Sequence, residues 1–171
     1  MNYKARKADL DDWLDVQEMY EKAVKSPQAD RLGLTETQLR WHFKRSLVDT
    51  QMALLLVYRG TEPVGLSLVY EIVCPGPERL TFIHVCYVSP GAGRAAGDMM
   101  NGAITAWAVK RGHHQVCANV RAPQEGKNNF KLRAIEERYG FTARHLVISR
   151  EARQEDIEWA TYSEVVRNPT T

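Results

Sequence analysis

The sequence predicts an α/β (α+β mixed) domain: a mixed, mostly antiparallel sheet with helices on both faces, in the order β-α-α-β-β-β-α-β-α-β. Three observations carry this expectation. Apolar runs of strand length follow one another between residues 51 and 88, separated by turn-forming clusters, which is meander order. A glycine-rich segment, Val88-Ser89-Pro90-Gly91-Ala92-Gly93-Arg94-Ala95-Ala96-Gly97, then leads into a stretch with apolar residues at helical spacing. A further strand-like run follows that stretch, so the antiparallel first half hands over to a βαβ connection at the glycine-rich turn.

Taken in order, residues 3–6 form a short strand. Asp9 or Asp11 caps a helix over about residues 12–25, with Trp13, Val16, Tyr20, Ala23 and Val24 on one stripe, and Pro27 ends it. After a loop over residues 26–34, Thr35-Glu36-Thr37-Gln38 has capping-box spacing and opens a second helix reaching about Val48. Leu39, Trp41, His42, Phe43 and Leu47 supply its apolar or amphipathic surface. Residues 51–58 and 64–73 read as strands around the turn-like Arg59-Gly60-Thr61-Glu62-Pro63, and Pro75-Gly76-Pro77 turns the chain into a strand over residues 80–88. The helix after the glycine-rich turn is expected over residues 97–111, stopped by Gly112. A strand over residues 114–120, a helix over 128–139 ended by Gly140 and an alternating strand over 141–149 complete the order. Residues 151–168 carry a weak helical pattern. The expected organisation is thus a domain over residues 1–150 and a tail over 151–171 packed on it.

At 171 residues such a chain buries roughly 70% of the surface its unfolded form exposes, so stability requires neither disulfide nor metal. The formal net charge is +2, and no block of five like charges suggests a nucleic-acid arm or an anionic-membrane anchor. Cys74, Cys86 and Cys117 are odd in number, none lies in a Cys-x-x-Cys pair, and they read as buried thiols of a reducing compartment. The first residues lack an apolar signal core, and no window approaches the roughly 18 apolar residues of a membrane span. A soluble, cytoplasmic protein is expected, with no membrane or nucleic-acid partner. His113 and His114 are adjacent, so on a strand they point to opposite faces, and with no second cluster no metal is expected.

The chemistry concentrates at the glycine-rich turn. A helix N-terminus exposes unpaired backbone N–H groups and the positive end of its dipole, and small residues let a phosphate approach them. Two cofactor readings meet here. Gly91-Ala92-Gly93-Arg94-Ala95-Ala96 fits the dinucleotide fingerprint Gly-x-Gly-x-x-Gly/Ala literally. Against it, Pro90 separates the fingerprint from its strand, and the next strand lacks an acidic residue to hold a ribose hydroxyl. A purely structural glycine-rich turn is the third reading.

The second cofactor reading is an acyl-CoA site. Arg94-Ala95-Ala96-Gly97-Asp98-Met99 matches the pattern Arg/Gln-x-x-Gly-x-Gly/Ala, with Met in its last place. Val88-Ser89-Pro90 matches the Val-x-Pro that precedes it, Lys110-Arg111-Gly112 the helix ending, and Asn129 with Arg138-Tyr139-Gly140-Phe141 the later Asn, helix and Gly-Phe. In these features the chain resembles the GCN5-related N-acetyltransferase (GNAT) family, over roughly residues 3–149. One extra residue lies between Pro90 and Arg94 relative to the usual spacing, Met99 is bulkier than the small residue usual there, and Glu136 stands where the family commonly has a general-acid Tyr.

The resemblance implies acetyl-CoA as cosubstrate and direct attack of an amine on the thioester, with no metal and no covalent enzyme intermediate. The acceptor is a small-molecule or peptide amine, and a homodimer stays open. Backbone N–H groups from Gly93 through Arg94, Ala95, Ala96, Gly97 and Asp98 to Met99 would hold the pyrophosphate, with Arg94 adding charge or serving as a solvated cap. Strand alternation puts Phe82, His84, Cys86 and Val88 on one face and Ile83, Val85 and Tyr87 on the other. His84 lies where the family often has its general base, and an imidazole near pKa 6.5 suits that task, although a histidine hydrogen-bonded within the core fits equally. The Cys86 N–H would face the thioester carbonyl beside Val88. Asn119 and Asn129 would contact pantetheine or close local turns. For the proton owed to the departing thiolate the candidates are Glu136, if protonated, and Tyr139 or Tyr87. The rival functional reading is a GNAT-fold module that binds CoA or a partner protein with little or no catalysis.

Overall fold

The computed structural model describes residues 2–26, 34–73, 79–113 and 115–118. All of them belong to one compact unit, Met1–Arg133, and the chain's contacts divide at Ala134. Eight elements are described: β1 (Tyr3–Lys7), α1 (Trp13–Val24), α2 (Glu36–Val48), β2 (Met52–Arg59), β3 (Glu62–Val73), β4 (Arg79–Val88), α3 (Arg94–Lys110) and β5 (Gln115–Ala118). Their order is the first eight of the ten expected. The strand order in the sheet is β1-β2-β3-β4-β5, antiparallel throughout except for the parallel β4–β5 pair.

Local sequence chemistry sets the helix ends. Asp9 caps a short 3-10 turn over Leu10–Asp12 that runs into α1. Thr35 and Gln38 form the reciprocal capping box of α2, with the Thr35 N–H donating to Gln38 Oε1 at 2.8 Å. At the end of α3, Gly112 (φ +72°) lets its N–H reach the Val109 carbonyl at 2.9 Å and the His113 N–H reach that of Ala108 at 3.0 Å. These two bonds satisfy carbonyls that the helix leaves open, a Schellman ending.

Two apolar cores flank the sheet. One, under α1 and α2, holds Val16, Met19, Leu39, Phe43, Leu54, Leu56, Leu66, Leu68, Val85 and Tyr87. The other, under α3, holds Leu55, Val57, Val69, Ala96, Met100 and Ile104, with Ile83, Val88 and Met99 half-buried against it. The helix stripes differ in part from those read in the sequence. Met19 and Ser46 are fully buried, whereas Val24 and Trp41 are exposed. Ser46 is accommodated because its hydroxyl donates to the Phe43 carbonyl at 2.8 Å, one turn back on the same helix.

Two irregularities correct the expected strands. Pro63, expected in the turn, lies inside β3, paired with Tyr58, while Val57 pairs with Gly65. Val64 is therefore an extra residue on β3, and Pro63 precedes the ladder to β4, which opens at Gly65, so its missing N–H costs that ladder nothing. A second bulge lies on β4, where Leu68 pairs with Val85 but Val69 pairs with Ile83. The extra residue there is His84. The bulge breaks the expected alternation: Ile83 packs toward α3, Val85 and Tyr87 toward α1 and α2. His84, Cys86 and Val88 therefore do not share one face. His84 lies with Val85 on the α1/α2 side, and Cys86 and Val88 lie on the α3 side.

Candidate functional site

The C-terminal half of β4 and the turn beyond it form the candidate site. The Ser89 N–H donates to the Val64 carbonyl at 2.9 Å, Pro90–Ala92 make a 3-10 turn, and Gly93 stands at φ +75°, ψ −179° as the N-cap of α3. Tyr3 Oη donates to the Ala92 carbonyl at 2.5 Å and Arg59 Nη1 to that of Gly91 at 3.3 Å. The turn is thus tied to β1, β2 and β3 before α3 begins, a preorganised approach to the helix N-terminus.

That helix starts at Arg94, one turn earlier than expected, because Ala95 and Ala96 extend it toward Gly93. Arg94, Ala95, Ala96 and Gly97 are consequently its first turn, whose N–H groups have no intrahelical acceptor. Gly93 supplies no side-chain cap, and no acidic residue lies in that first turn. Ala96 is fully buried against the sheet and Met99 is turned into the core under α3, which leaves the first turn lined by Arg94, Ala95 and Gly97. Asp98 is exposed in the second turn. Beside the turn, Lys22, Lys25, Arg59, Glu62, Tyr87 and Ser89 line a cleft of about 480 Å³. Glu62 accepts from Arg59 at 2.7 Å and lies 3.9 Å from Lys22, and the Ser89 hydroxyl is buried without a partner.

Along β4, the pairing with β5 runs from Leu80–Gln115 to Ile83–Ala118. Among the described residues β5 continues no further, and the bulge follows at His84. His84 is exposed, and partial desolvation holds its pKa below the ordinary 6.5. Its neighbours are aromatic: Tyr70 of β3, with ring centroids 5.9 Å apart, and His42 of α2, at 6.0 Å. His42 is half-buried, its Nδ1 is buried without a partner, and its pKa is lowered by desolvation and by the neighbouring His84 and Arg45. The sequence pattern gave His42 only the role of helix surface. Its approach to His84 is a tertiary event, arising where α2 crosses the bulge.

Cys86 corrects the expectation of buried thiols, since the residue is exposed; Cys117 is half-buried. Solvent reaches the residue, yet the protein crowded around the sulfur desolvates it. That crowding pushes the thiol up to about 11, with the Ser67 hydroxyl acting in the opposite direction. Desolvation thus favours the protonated thiol at neutral pH. Tyr87 is 5% exposed, its ring in the core under α1 and α2 and one edge on the cleft. Glu136, Tyr139, Asn119 and Asn129 lie outside the described residues.

A second polar cluster, on the α3 side, is structural. Glu71, its side chain 2% exposed, receives Arg79 at 3.0 Å and lies 3.5 Å from His113 Nε2, while His113 Nδ1 is 2.8 Å from Thr81 Oγ1. The hydroxyl, imidazole and carboxylate follow the order of a catalytic triad, but Thr81 is fully buried and no substrate reaches it. Among the described residues no group of three His, Cys, Asp or Glu side chains is placed to hold a metal ion, and no helix is long and apolar enough to cross a membrane.

No family model and no curated protein matches the sequence. Solved structures do match the fold. The aminoglycoside acetyltransferase AAC(6')-Iy in complex with a bisubstrate analogue, CoA-S-monomethyl-acetylneamine, superposes with a TM-score of 0.72 at 12% identity, covering 90% of this chain and 99% of that one. The chain has the GNAT acetyltransferase fold. A predicted acetyltransferase from Clostridium acetobutylicum with acetyl-CoA gives a TM-score of 0.65 at 16% identity over 88% of this chain and 96% of that one. Glucosamine-6-phosphate N-acetyltransferase from Arabidopsis thaliana gives 0.64 at 10% identity over 90% and 100%. The GNAT fold accounts for the meander, the parallel β4–β5 pair and the central helix that follows the glycine-rich turn.

Proposed function

We propose that this chain is an acetyl-CoA-dependent N-acetyltransferase that transfers the acetyl group to an amine by direct attack. One observation carries the reading: within residues 84–97 of a GNAT fold, an exposed imidazole stands at the β4 bulge and the strand leads through the glycine-rich turn to a helix N-terminus with no acidic residue in its first turn. Structures of this fold have been solved with acetyl-CoA and with a CoA-linked bisubstrate analogue bound.

In this reading the N–H groups of Gly93 to Gly97 and the Arg94 guanidinium hold the pyrophosphate, because the first turn of α3 offers backbone donors and the positive end of the helix dipole. Bound acetyl-CoA supplies an activated thioester carbonyl. His84, neutral at pH 7 because its pKa is depressed, takes a proton from the substrate ammonium directly or through one water. The imidazolium returns that proton to solvent, the C–N bond forms as the C–S bond breaks, the amine's second proton passes to solvent, and the thiolate leaves with the bonding pair and takes a proton from water or from a residue such as Tyr139 or Glu136. A protonated Cys86 thiol keeps the route to a single displacement.

The test is twofold. Calorimetric titration should detect CoA binding, and thiol release from acetyl-CoA should rise when a panel of amines is supplied. Absence of heat at millimolar CoA with a folded protein refutes the cofactor; binding without turnover of any amine, including those carried on peptides, favours the non-catalytic CoA-binding module.

A further inference from the structure

The two carbonyls that precede the N-cap of α3 are held by side chains from a single rung of the sheet. Tyr3 and Arg59 are direct partners in the β1–β2 ladder. Tyr3 Oη donates to the Ala92 carbonyl at 2.5 Å, and Arg59 donates through Nη1 to the Gly91 carbonyl at 3.3 Å and through Nη2 to Glu62 Oε2 at 2.7 Å. The Tyr3 ring is half-buried against the core under α3, which fixes where its hydroxyl stands. Resting on the acetyltransferase reading, we propose that Tyr3 is a positioning residue for acetyl-CoA: by holding the Ala92 carbonyl, its hydroxyl aims the Gly93 N–H at the pyrophosphate.

Peptide planarity makes the argument specific. The Ala92 carbonyl and the Gly93 N–H belong to one planar unit, and because the described peptides are all trans the two groups point in opposite directions. A hydroxyl that fixes the carbonyl therefore fixes the donor. Gly93 has no Cβ to narrow its own torsions, and a Cβ built there would meet nothing within 4 Å, so local sterics do not hold this unit in place. The unit before it is secured in another way. Its carbonyl, on Gly91, receives Arg59, but its N–H, on Ala92, is already spent on the Ser89 carbonyl at 2.9 Å within the 3-10 turn. Of the two ties, that of Tyr3 is the one that acts on a donor of the pyrophosphate site.

The experiment uses Tyr3→Phe, which keeps the ring in its packing and removes only the donor. Calorimetry should give a Kd for CoA about 3- to 10-fold above the parent's, the range set by one ordinary hydrogen bond. Turnover at saturating acetyl-CoA should stay near the parent's, so that the loss falls on KM and not on kcat. Tyr20→Phe is the control: it removes a bond of the same kind, from Tyr20 Oη to the Leu34 carbonyl at 2.9 Å, and should leave the Kd for CoA unchanged. In the parent, the Gly93 amide resonance should shift as CoA saturates the protein, and the shift should shrink in Tyr3→Phe. An unchanged Kd in Tyr3→Phe overturns the inference, and so does an equal rise in Tyr20→Phe, which would assign the effect to general loosening of the fold. A Gly93 resonance indifferent to saturating CoA in the parent overturns it without any variant. A parent protein that binds no CoA instead defeats the acetyltransferase reading beneath it.

Discussion

Replacing Gly93 by alanine should uncouple the turn from the helix it introduces. Gly93 stands at φ +75°, ψ −179°, a region open in practice to glycine alone. A Cβ built there meets nothing within 4 Å, so the substitution brings no clash, and its whole cost is conformational. That cost is about 1–3 kcal/mol. If the backbone keeps its native course, the strain appears as lost stability, and for a chain of this size melting falls by about 2–4 °C per kcal/mol, or roughly 2–12 °C in all. If the turn relaxes instead, the first N–H groups of α3 rotate away from the pyrophosphate and CoA affinity falls, tenfold for each ~1.4 kcal/mol. Gly91→Ala is the control: its Cβ also meets nothing within 4 Å, and its φ is not positive. Scanning calorimetry and CoA titration of both variants separate the cases. A Gly93→Ala protein that melts within a degree of the parent and binds CoA equally would refute the argument that this φ is enforced. Equal losses in both variants would assign the effect to something other than φ.

Three further outcomes are expected. His84→Ala should lower turnover about 10²-fold or more with CoA affinity nearly unchanged, and the parent's kcat/KM should fall on acidification through a pKa below 6.5, a limb the variant lacks. His42 and His84 both have pKa values lowered by folding, so the folded state binds fewer protons; thermal stability should hold above about pH 6.5 and decline as pH falls below it, with a shallower decline in His42→Phe. Asp12 is buried and accepts from both Arg6 and Tyr58, the latter at 3.1 Å; Asp12→Ala should cost about 2 kcal/mol, less than a fully buried pair because Arg6 keeps nearly half its side-chain surface in water, and a chemical-denaturation midpoint will read it.

Local signals were legible in the chain. The Thr35–Gln38 box and the Gly112 stop depend on residues within one turn of one another, so their physics is complete in a short window. The meander of β2, β3 and β4 followed from turn clusters for the same reason. The bulge at His84 was not legible, because period-two alternation assumes an unbroken ladder, and the residue pairing that breaks it belongs to β3, more than ten positions away. His84 therefore read as a neighbour of Cys86 when its company is His42 and Tyr70. The start of α3 was misplaced by one turn because the glycine-rich run looked like loop, although Ala95 and Ala96 are strong helix formers. Cys86 read as buried since its run is apolar; its exposure depends on what packs over that face of β4, which the residues of β4 alone do not encode.

The extra residue on β4 separates the chemistry of the site from the packing of the sheet. Any side chain at position 84 keeps the count of residues along the strand, so the base can be exchanged for another group, and activity altered, with the two cores intact. Removing the position would leave Ile83 opposite Val69 and Val85 opposite Leu68 in an unbroken ladder, so Val85 and Tyr87 would keep their places in the core under α1 and α2 while the imidazole is lost. The two cores therefore depend neither on which residue stands at 84 nor on there being one: the bulge adds a side chain that serves the site alone.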